Sequence, residues 1–141
     1  MIMEYSFIRE TCVPDTILIV DDDEINRDVL GNIFSASYAI ETAQNGKECL
    51  DKIHEYGSRI CAVLLDVIMP VMGGIEVLEK FSKDGIINHI PVFLITGATD
   101  GKIIKRAYEY GVMDVISKPV SPYIVQRRVN SVIELFTARK R

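Results

Sequence analysis

The chain has 141 residues, of which 48% are hydrophobic and 26% charged, and its formal net charge is −4. This balance predicts one globular domain with its own core, and the acidic charge disfavours direct contact with nucleic acid. No apolar run approaches the roughly 18 residues that span a bilayer, and no secretory signal is evident. Three cysteines without metal-ligand spacing, Cys12, Cys49 and Cys61, indicate a reducing compartment. We therefore expect a cytoplasmic protein that does not act on membranes.

Apolar runs alternate with helical patterns five times after a tail at residues 1–14, which has no clear period. Continuous apolar runs predict buried strands, and the amphipathic stretches between them predict helices. The apolar runs predict strands at residues 16–20, 60–65, 91–95 and 113–116. Residues 38–43 alternate apolar and polar side chains and predict a half-exposed strand. The helices carry apolar residues at helical spacing: Ile25, Val29, Leu30, Ile33 and Phe34; Leu50 and Ile53; Val77, Leu78 and Phe81; Ile103, Ile104 and Ala107; Val125, Val129, Val132, Ile133 and Phe136.

Helix starts are marked as well. Asp100 is a predicted N-cap, and Ser121 precedes Pro122 in the order that favours an N-cap followed by proline at the first helical position. Five strand–helix units predict an α/β fold, in which a doubly wound parallel sheet carries helices on both faces. Functional residues of such sheets lie beyond the carboxyl ends of the strands.

Polar residues stand at those ends. One member of the acidic run after the first strand is expected to cap the following helix. Asp66 follows the most continuously apolar strand, where an ionised carboxylate is costly unless it is paired or metal-bound. The residues concerned are Asp21, Asp22, Asp23 and Glu24 after the first strand, Asp66 after the third, Thr96 after the fourth, and Lys118 after the fifth.

Crowded carboxylates repel one another, and oxygen ligands of this kind suit Mg²⁺ or Mn²⁺. A carboxylate beside such a cation can attack phosphorus and form an acyl phosphate. Lys118 would offset charge on the transferring group, and Thr96 would donate a hydrogen bond to it. The pattern therefore predicts phosphoryl transfer.

Over about residues 15–138 the chain resembles the receiver domains of two-component response regulators. The motifs that carry the resemblance are residues 17–23 (ILIVDDD), 64–74 (LLDVIMPVMGG), 91–97 (PVFLITG) and 118–119 (KP), in matching order and spacing. The resemblance implies a flavodoxin-like sheet with strand order 2-1-3-4-5. Residues 139–141 would then be a basic tail or the start of a linker to an output domain.

The resemblance also implies roles for individual residues. Asp66 would accept phosphate from a sensor histidine kinase, a phosphotransfer protein or acetyl phosphate. Asp22, Asp66 and the Ile68 carbonyl would bind Mg²⁺ (or Mn²⁺) directly, with Asp21 acting largely through water. Thr96, after the fourth strand, and Lys118, after the fifth, would bind phosphoryl oxygens, and the Lys118–Pro119 peptide would be cis.

The implied protein is a timed switch that phosphorylates and dephosphorylates itself without being a turnover enzyme. Its implied readout is partner docking or homodimerisation through the fourth helix, fifth strand and fifth helix, with Tyr108 or Tyr110 as contacts. One position departs from the family: Val115 stands where receivers usually carry Tyr or Phe. Residues 114–119 and 122–125 also resemble receivers joined to cyclic-di-GMP enzymes.

Other hypotheses remain open at the level of sequence. Asp21-Asp22-Asp23 contains the Asp-x-Asp of haloacid-dehalogenase-type phosphatases, but that family favours Thr or Val where Ile25 stands. A flavodoxin-like flavin binder would need a loop rich in Ser, Thr and Gly after the first strand. A receiver that is never phosphorylated is a further alternative.

Overall fold

The computed structural model describes residues 13–97 and 100–140, with side chains described as far as residue 138. Residues 1–12 with Cys12, residues 98–99, residue 141 and the side chains of residues 139–140 therefore lie outside the described part. The strands are β1 (Thr16–Val20), β2 (Ala39–Ala43), β3 (Ile60–Leu65), β4 (Val92–Thr96) and β5 (Asp114–Ser117). The helices are α1 (Glu24–Phe34), α2 (Gly46–Tyr56), α3 (Gly74–Lys83), α4 (Gly101–Tyr110) and α5 (Pro122–Lys140).

All five strands pair in parallel, in the order β2-β1-β3-β4-β5. This confirms the expected doubly wound topology, and the observed strand bounds lie within one residue of the predicted ones. Each step along a strand turns the side chain to the other face of the sheet, so each continuous apolar strand feeds two cores. Leu18 and Leu65 pack on one face, and Ile17 and Leu64 on the other.

The two cores are covered by different helices. Cys49 of α2, Phe81 of α3 and Ala107 of α4 belong to the core on one face of the sheet. Phe34 of α1 and Val129 of α5 belong to the core on the opposite face. Within the described residues, no helix is long and apolar enough to cross a membrane.

The apolar face predicted for α1 was partly wrong. Leu30 and Phe34 are buried as expected, but Ile25 is 71% exposed and Val29 is 45% exposed. With 3.6 residues per turn, Ile25 stands about 140° from Leu30 around the helix and about 180° from Phe34. Ile25 therefore does not lie on the side of α1 that packs against the sheet, and it stands near the acidic end of β1.

Candidate functional site

The ends of β1 and β3 bring the acidic residues together. Val20 and Leu65 are register partners in the two adjacent parallel strands, so the residues that follow them, Asp21 and Asp66, emerge side by side. Together with Asp22 they form a cluster in which one carboxylate oxygen from each residue lies within 4.8 Å of the others. This convergence was expected from the positions of the residues at the strand ends.

Asp21 is held from several directions. Its residue surface is only 2% exposed. Its backbone N–H donates to the Ala43 carbonyl at 3.1 Å, and its Oδ1 accepts from the Asp23 N–H at 3.0 Å. Its Oδ2 accepts from Lys118 Nζ at 2.7 Å. Because a buried carboxylate is costly without such partners, these bonds are what allow an aspartate at this depth.

Lys118 bridges two of the clustered carboxylates. Its Nζ also lies 3.2 Å from Asp66 Oδ2, and its side chain is 22% exposed. Burial lowers the pKa of Lys118, but the hydrogen bonds and negative charges of Asp21 and Asp66 outweigh it and raise the pKa above its usual value. The lysine is thus held as a cation between the two carboxylates.

Asp66 is positioned by both neighbouring strands. Its backbone N–H donates to the Val20 carbonyl at 2.9 Å, which extends the pairing of β1 and β3 by one step. Its Oδ1 accepts from the Val67 N–H at 2.7 Å, while its Oδ2 faces Lys118. Its side chain is 11% exposed, so the carboxylate is mostly buried but not sealed from solvent.

Thr96 is the last residue of β4 and is 2% exposed. It pairs with Ser117 of β5, and its carbonyl accepts from the Lys118 N–H at 3.0 Å. The Lys118–Pro119 peptide is cis, which confirms that expectation. Thr96 and Lys118 therefore stand at the same sheet edge as the acidic cluster.

The β3–α3 loop frames the other side of the cluster. Ile68, the residue whose carbonyl was expected to bind a metal, carries a side chain exposed to 70%. Val71 has a φ of 69°, a conformation that a β-branched residue rarely adopts. The Met72 N–H donates to the Pro70 carbonyl at 2.7 Å, which closes a tight turn around Val71.

Glycine is required where this loop returns to the sheet. A Cβ on Gly74 would overlap the carbonyl oxygen of Asp66 and lie 2.9 Å from the Cα of Val67. The Gly74 N–H donates to the Val67 carbonyl at 2.8 Å. This close approach fixes the start of α3 directly beneath Asp66.

The acidic run after β1 divides into two roles. Asp23 caps α1, since its Oδ1 accepts from the Ile25 N–H at 2.9 Å, as expected for one member of the run. Asp100 likewise caps α4 through the Lys102 N–H. Asp22 is exposed and points into the cluster without such a capping role.

Sequence reasoning missed Arg27. Its Nη1 donates to the backbone carbonyl of Asp21 at 2.8 Å. An arginine one turn after an acidic strand end can reach back to that end, because successive turns of a helix rise by only about 5.4 Å. That spacing was the available signal.

The residues present suit a hard divalent cation. Carboxylate oxygens from Asp21, Asp22 and Asp66 converge, and Asp22 is open to solvent. Such an oxygen-rich, partly exposed set matches the preference of Mg²⁺ for one or two carboxylates together with water and phosphate oxygens. The donor chemistry therefore fits the magnesium ion that the sequence predicts.

Comparison with known proteins now decides the family. The family model described as "Response regulator receiver domain" matches residues 17–130. The chain belongs to this family. That result replaces the phosphatase and flavin-binder hypotheses, and phosphorylation and magnesium binding are general features of receivers.

Individual relatives agree with this assignment. The receiver is 30% identical to the rice two-component response regulator ORR3 (Oryza sativa), covering 83% of this chain and 89% of that one. It is 32% identical to a cyclic di-GMP phosphodiesterase of Thermotoga maritima, covering 81% of this chain and 30% of that protein. It spans less than a third of the length of several longer curated relatives.

A solved structure shows the same architecture. The receiver superposes on a chain of the CheX–CheY–BeF3–Mg complex from Borrelia burgdorferi with a TM-score of 0.79 and 30% identity. The match covers 87% of this chain and 92% of that one. The chain therefore has the CheY-like fold and functions as a receiver in two-component signalling.

Proposed function

We propose that this receiver accepts a phosphoryl group on Asp66, from the phosphohistidine of a sensor kinase or phosphotransfer protein, or from a small donor such as acetyl phosphate. The observation that carries the proposal is the convergence of Asp66, two further carboxylates and the Lys118 ammonium at one sheet edge. Because Asp66 alone combines partial exposure with a position at the end of the central strand β3, it is the carboxylate offered to a donor.

The transfer is a displacement at phosphorus. A carboxylate oxygen of Asp66 forms a new P–O bond while the P–N bond to the donor imidazole, or the P–O bond to acetate, breaks. The electron pair of the broken bond stays with the leaving group. The Lys118 ammonium, already 3.2 Å from Asp66 Oδ2, is available to a phosphoryl oxygen, and the Thr96 hydroxyl is the proposed hydrogen-bond donor to another.

The proposed magnesium ligands are Asp22, Asp66 and the Ile68 carbonyl, with Asp21 acting through water. When bound, the cation would neutralise negative charge shared by the carboxylates and the incoming phosphoryl group. Lys118 already holds Asp21 and Asp66 together, so the chain's own residues assemble the site ahead of the donor.

The switch is reset by water. Attack of water on phosphorus returns the Asp66 carboxylate and inorganic phosphate, so the domain turns itself off and is not a turnover enzyme. Its proposed partners are a histidine kinase or phosphotransfer protein and an output domain, with residues 15–138 as the receiver unit and 139–141 leading towards that output. We place the reaction in the cytoplasm, in keeping with three cysteines that have no metal-ligand spacing and are odd in number.

A second copy of the chain is a proposed partner through α4, β5 and α5. Five large apolar side chains on or beside these elements are at least 40% exposed, namely Tyr108, Met113, Tyr123, Ile124 and Leu135. Exposed apolar surface of this kind favours association when it is contiguous. Asp114 and Arg128 add charges of both signs to the same elements.

The proposal is tested by incubating the protein with acetyl phosphate and Mg²⁺ and measuring intact mass. One phosphoryl group should be added, Asp66→Asn should abolish it, and the matched change Asp23→Asn should leave it intact because asparagine also caps helices. An adduct that persists in Asp66→Asn and is lost in Asp21→Asn would overturn the assignment.

A further inference from the structure

Arg27 joins the first turns of α1 to the acidic strand end. Its Nη1 donates to the Asp21 carbonyl at 2.8 Å, and its backbone N–H donates to the Asp23 carbonyl at 3.1 Å. The residue is half-buried. Through these two bonds Arg27 contacts both ends of the three-residue segment that supplies two of the clustered carboxylates.

The direction of the Asp22 carboxylate, in the middle of that segment, depends on the backbone of the segment. Asp21 is fixed through its N–H and both carboxylate oxygens, and Asp23 is fixed by capping α1. Asp22 is exposed, so the direction of its carboxylate follows from the peptide planes on either side of it. The Asp21 carbonyl belongs to one of those planes, and Arg27 holds it.

We propose that Arg27 is a positioning residue for the phosphorylation site. By holding the Asp21 carbonyl, it fixes the backbone on which Asp22 stands and keeps the Asp22 carboxylate directed towards Asp66. The consequence is tighter binding of Mg²⁺ and faster phosphorylation than the same carboxylates would give on a free loop. This inference rests on the function proposed above.

A guanidinium so close to the cluster also has an opposing effect. Its charge repels a divalent cation, so an arginine that acted only as a charge would weaken metal binding. Positioning and repulsion therefore predict opposite outcomes when Arg27 is removed. The salt dependence of metal binding distinguishes positioning from repulsion further. Ionic strength screens the repulsion between exposed charges but leaves a short hydrogen bond largely intact.

The experiment measures the Mg²⁺ dissociation constant by calorimetry for wild type, Arg27→Met and Arg27→Lys, under conditions where circular dichroism reports the native fold. Arg27→Met should raise Kd by roughly three- to tenfold, the size expected for loss of one hydrogen bond of ordinary net strength that orders the site. Arg27→Lys, which keeps the charge and one donor, should recover part of that loss. Arg59→Met makes the same charge change before β3, at the opposite sheet edge, and should leave Kd unchanged.

A second readout reports the positioning directly. The Asp23 N–H is bonded to Asp21 Oδ1, so its hydrogen exchange should accelerate in Arg27→Met, together with a shift of the Asp22 amide resonance. Metal binding as tight as wild type or tighter in Arg27→Met, with unchanged exchange at Asp23, would overturn the inference. If Arg27→Met does not fold, Arg27→Gln is judged by the same two measurements.

Failure of the proposed function would look different. Wild-type protein that acetyl phosphate and Mg²⁺ do not label would refute Asp66 as the acceptor, whatever the Arg27 variants do. The metal and exchange measurements would still decide whether Arg27 orders the Asp21–Asp23 segment.

Discussion

Lys118 Nζ lies 2.7 Å from Asp21 Oδ2, although the two residues are separated by 97 positions in the chain. The parallel sheet makes this contact, because β1 and β5 both end at the edge where Asp66 stands between them. The lysine is therefore the internal counter-charge of the site before any cation or phosphoryl group arrives.

Removing this counter-charge should destabilise the fold. Lys118→Met should lower the free energy of unfolding by about 2–3 kcal/mol, because it leaves the buried Asp21 carboxylate without its cation. Lys52→Met is the matched control, since Lys52 and Glu41 form a similarly short but more exposed pair, for which a loss of less than about 1 kcal/mol is expected. Urea unfolding measures both. Mg²⁺ should stabilise Lys118→Met more than wild type, and equal losses in the two variants would contradict this account.

Asp22 should be needed for metal binding but not for folding. Asp22→Asn removes one of the three converging charges and should weaken Mg²⁺ binding roughly tenfold, the effect of about 1.4 kcal/mol of electrostatic attraction. Asp23→Asn is the adjacent control and should bind nearly as well, because Asp23 caps α1. Calorimetric titration of both variants tests this, and indistinguishable affinities would remove Asp22 from the ligand set.

The strands and the residues at their ends could be predicted from the sequence, because the local pattern of apolar residues determines where strands form. Three of the predicted strands became β1, β3 and β4, which are buried along their whole length. The edge strands β2 and β5 are more exposed and formed where they were expected as well. Asp21 and Asp66 could be paired in advance because adjacent parallel strands end together. The part of the site that consists of residues at strand ends was therefore predictable.

Contacts set by side-chain reach were not predictable. The bond from Arg27 to the Asp21 carbonyl, for example, depends on the rotamer of the arginine. The positive φ of Val71 runs against the preference of valine, so no local rule indicates it. These features arise from tertiary packing around the loops.

The buried thiol of Cys49 makes stability depend on pH. Burial raises the pKa of Cys49 to about 12, so the folded state holds the thiol proton more tightly than the unfolded state does. This contribution is complete below about pH 9 and is lost as pH rises towards 12, by about 1.4 kcal/mol per pH unit. Urea unfolding at about pH 8 and pH 10 should therefore show a steeper loss for wild type than for Cys49→Ala. Parallel losses would show that the thiol ionises while still folded.

We expect signal transmission to differ from that of a receiver with an aromatic residue in β5. Val115 is partly buried against one core, and its N–H donates to the Tyr108 hydroxyl at 3.2 Å. Valine has no ring that could turn inward when Thr96 moves towards a phosphoryl group. The coupling should therefore run through the loop after β4, whose residues 98–99 lie outside the described part, and into α4.

Beryllofluoride with Mg²⁺, as a mimic of the phosphoryl group, should shift the backbone amides of the loop at residues 97–99 and of α4 more strongly than those of β5 and α5. The reason is that Thr96 precedes the loop directly, whereas Val115 is too small to fill the space that Thr96 would leave. Val115→Tyr supplies the missing ring and should enlarge the shifts of β5 and α5, while Val115→Ile, which remains aliphatic, should not. Two-dimensional NMR spectra of the three proteins make the comparison. If the amide resonances of β5 and α5 in the wild type shift as strongly as those of the loop, valine at position 115 has not changed the route of the signal. The population shift, which needs a free-energy difference of only a few kcal/mol, would then be transmitted to that face by other contacts.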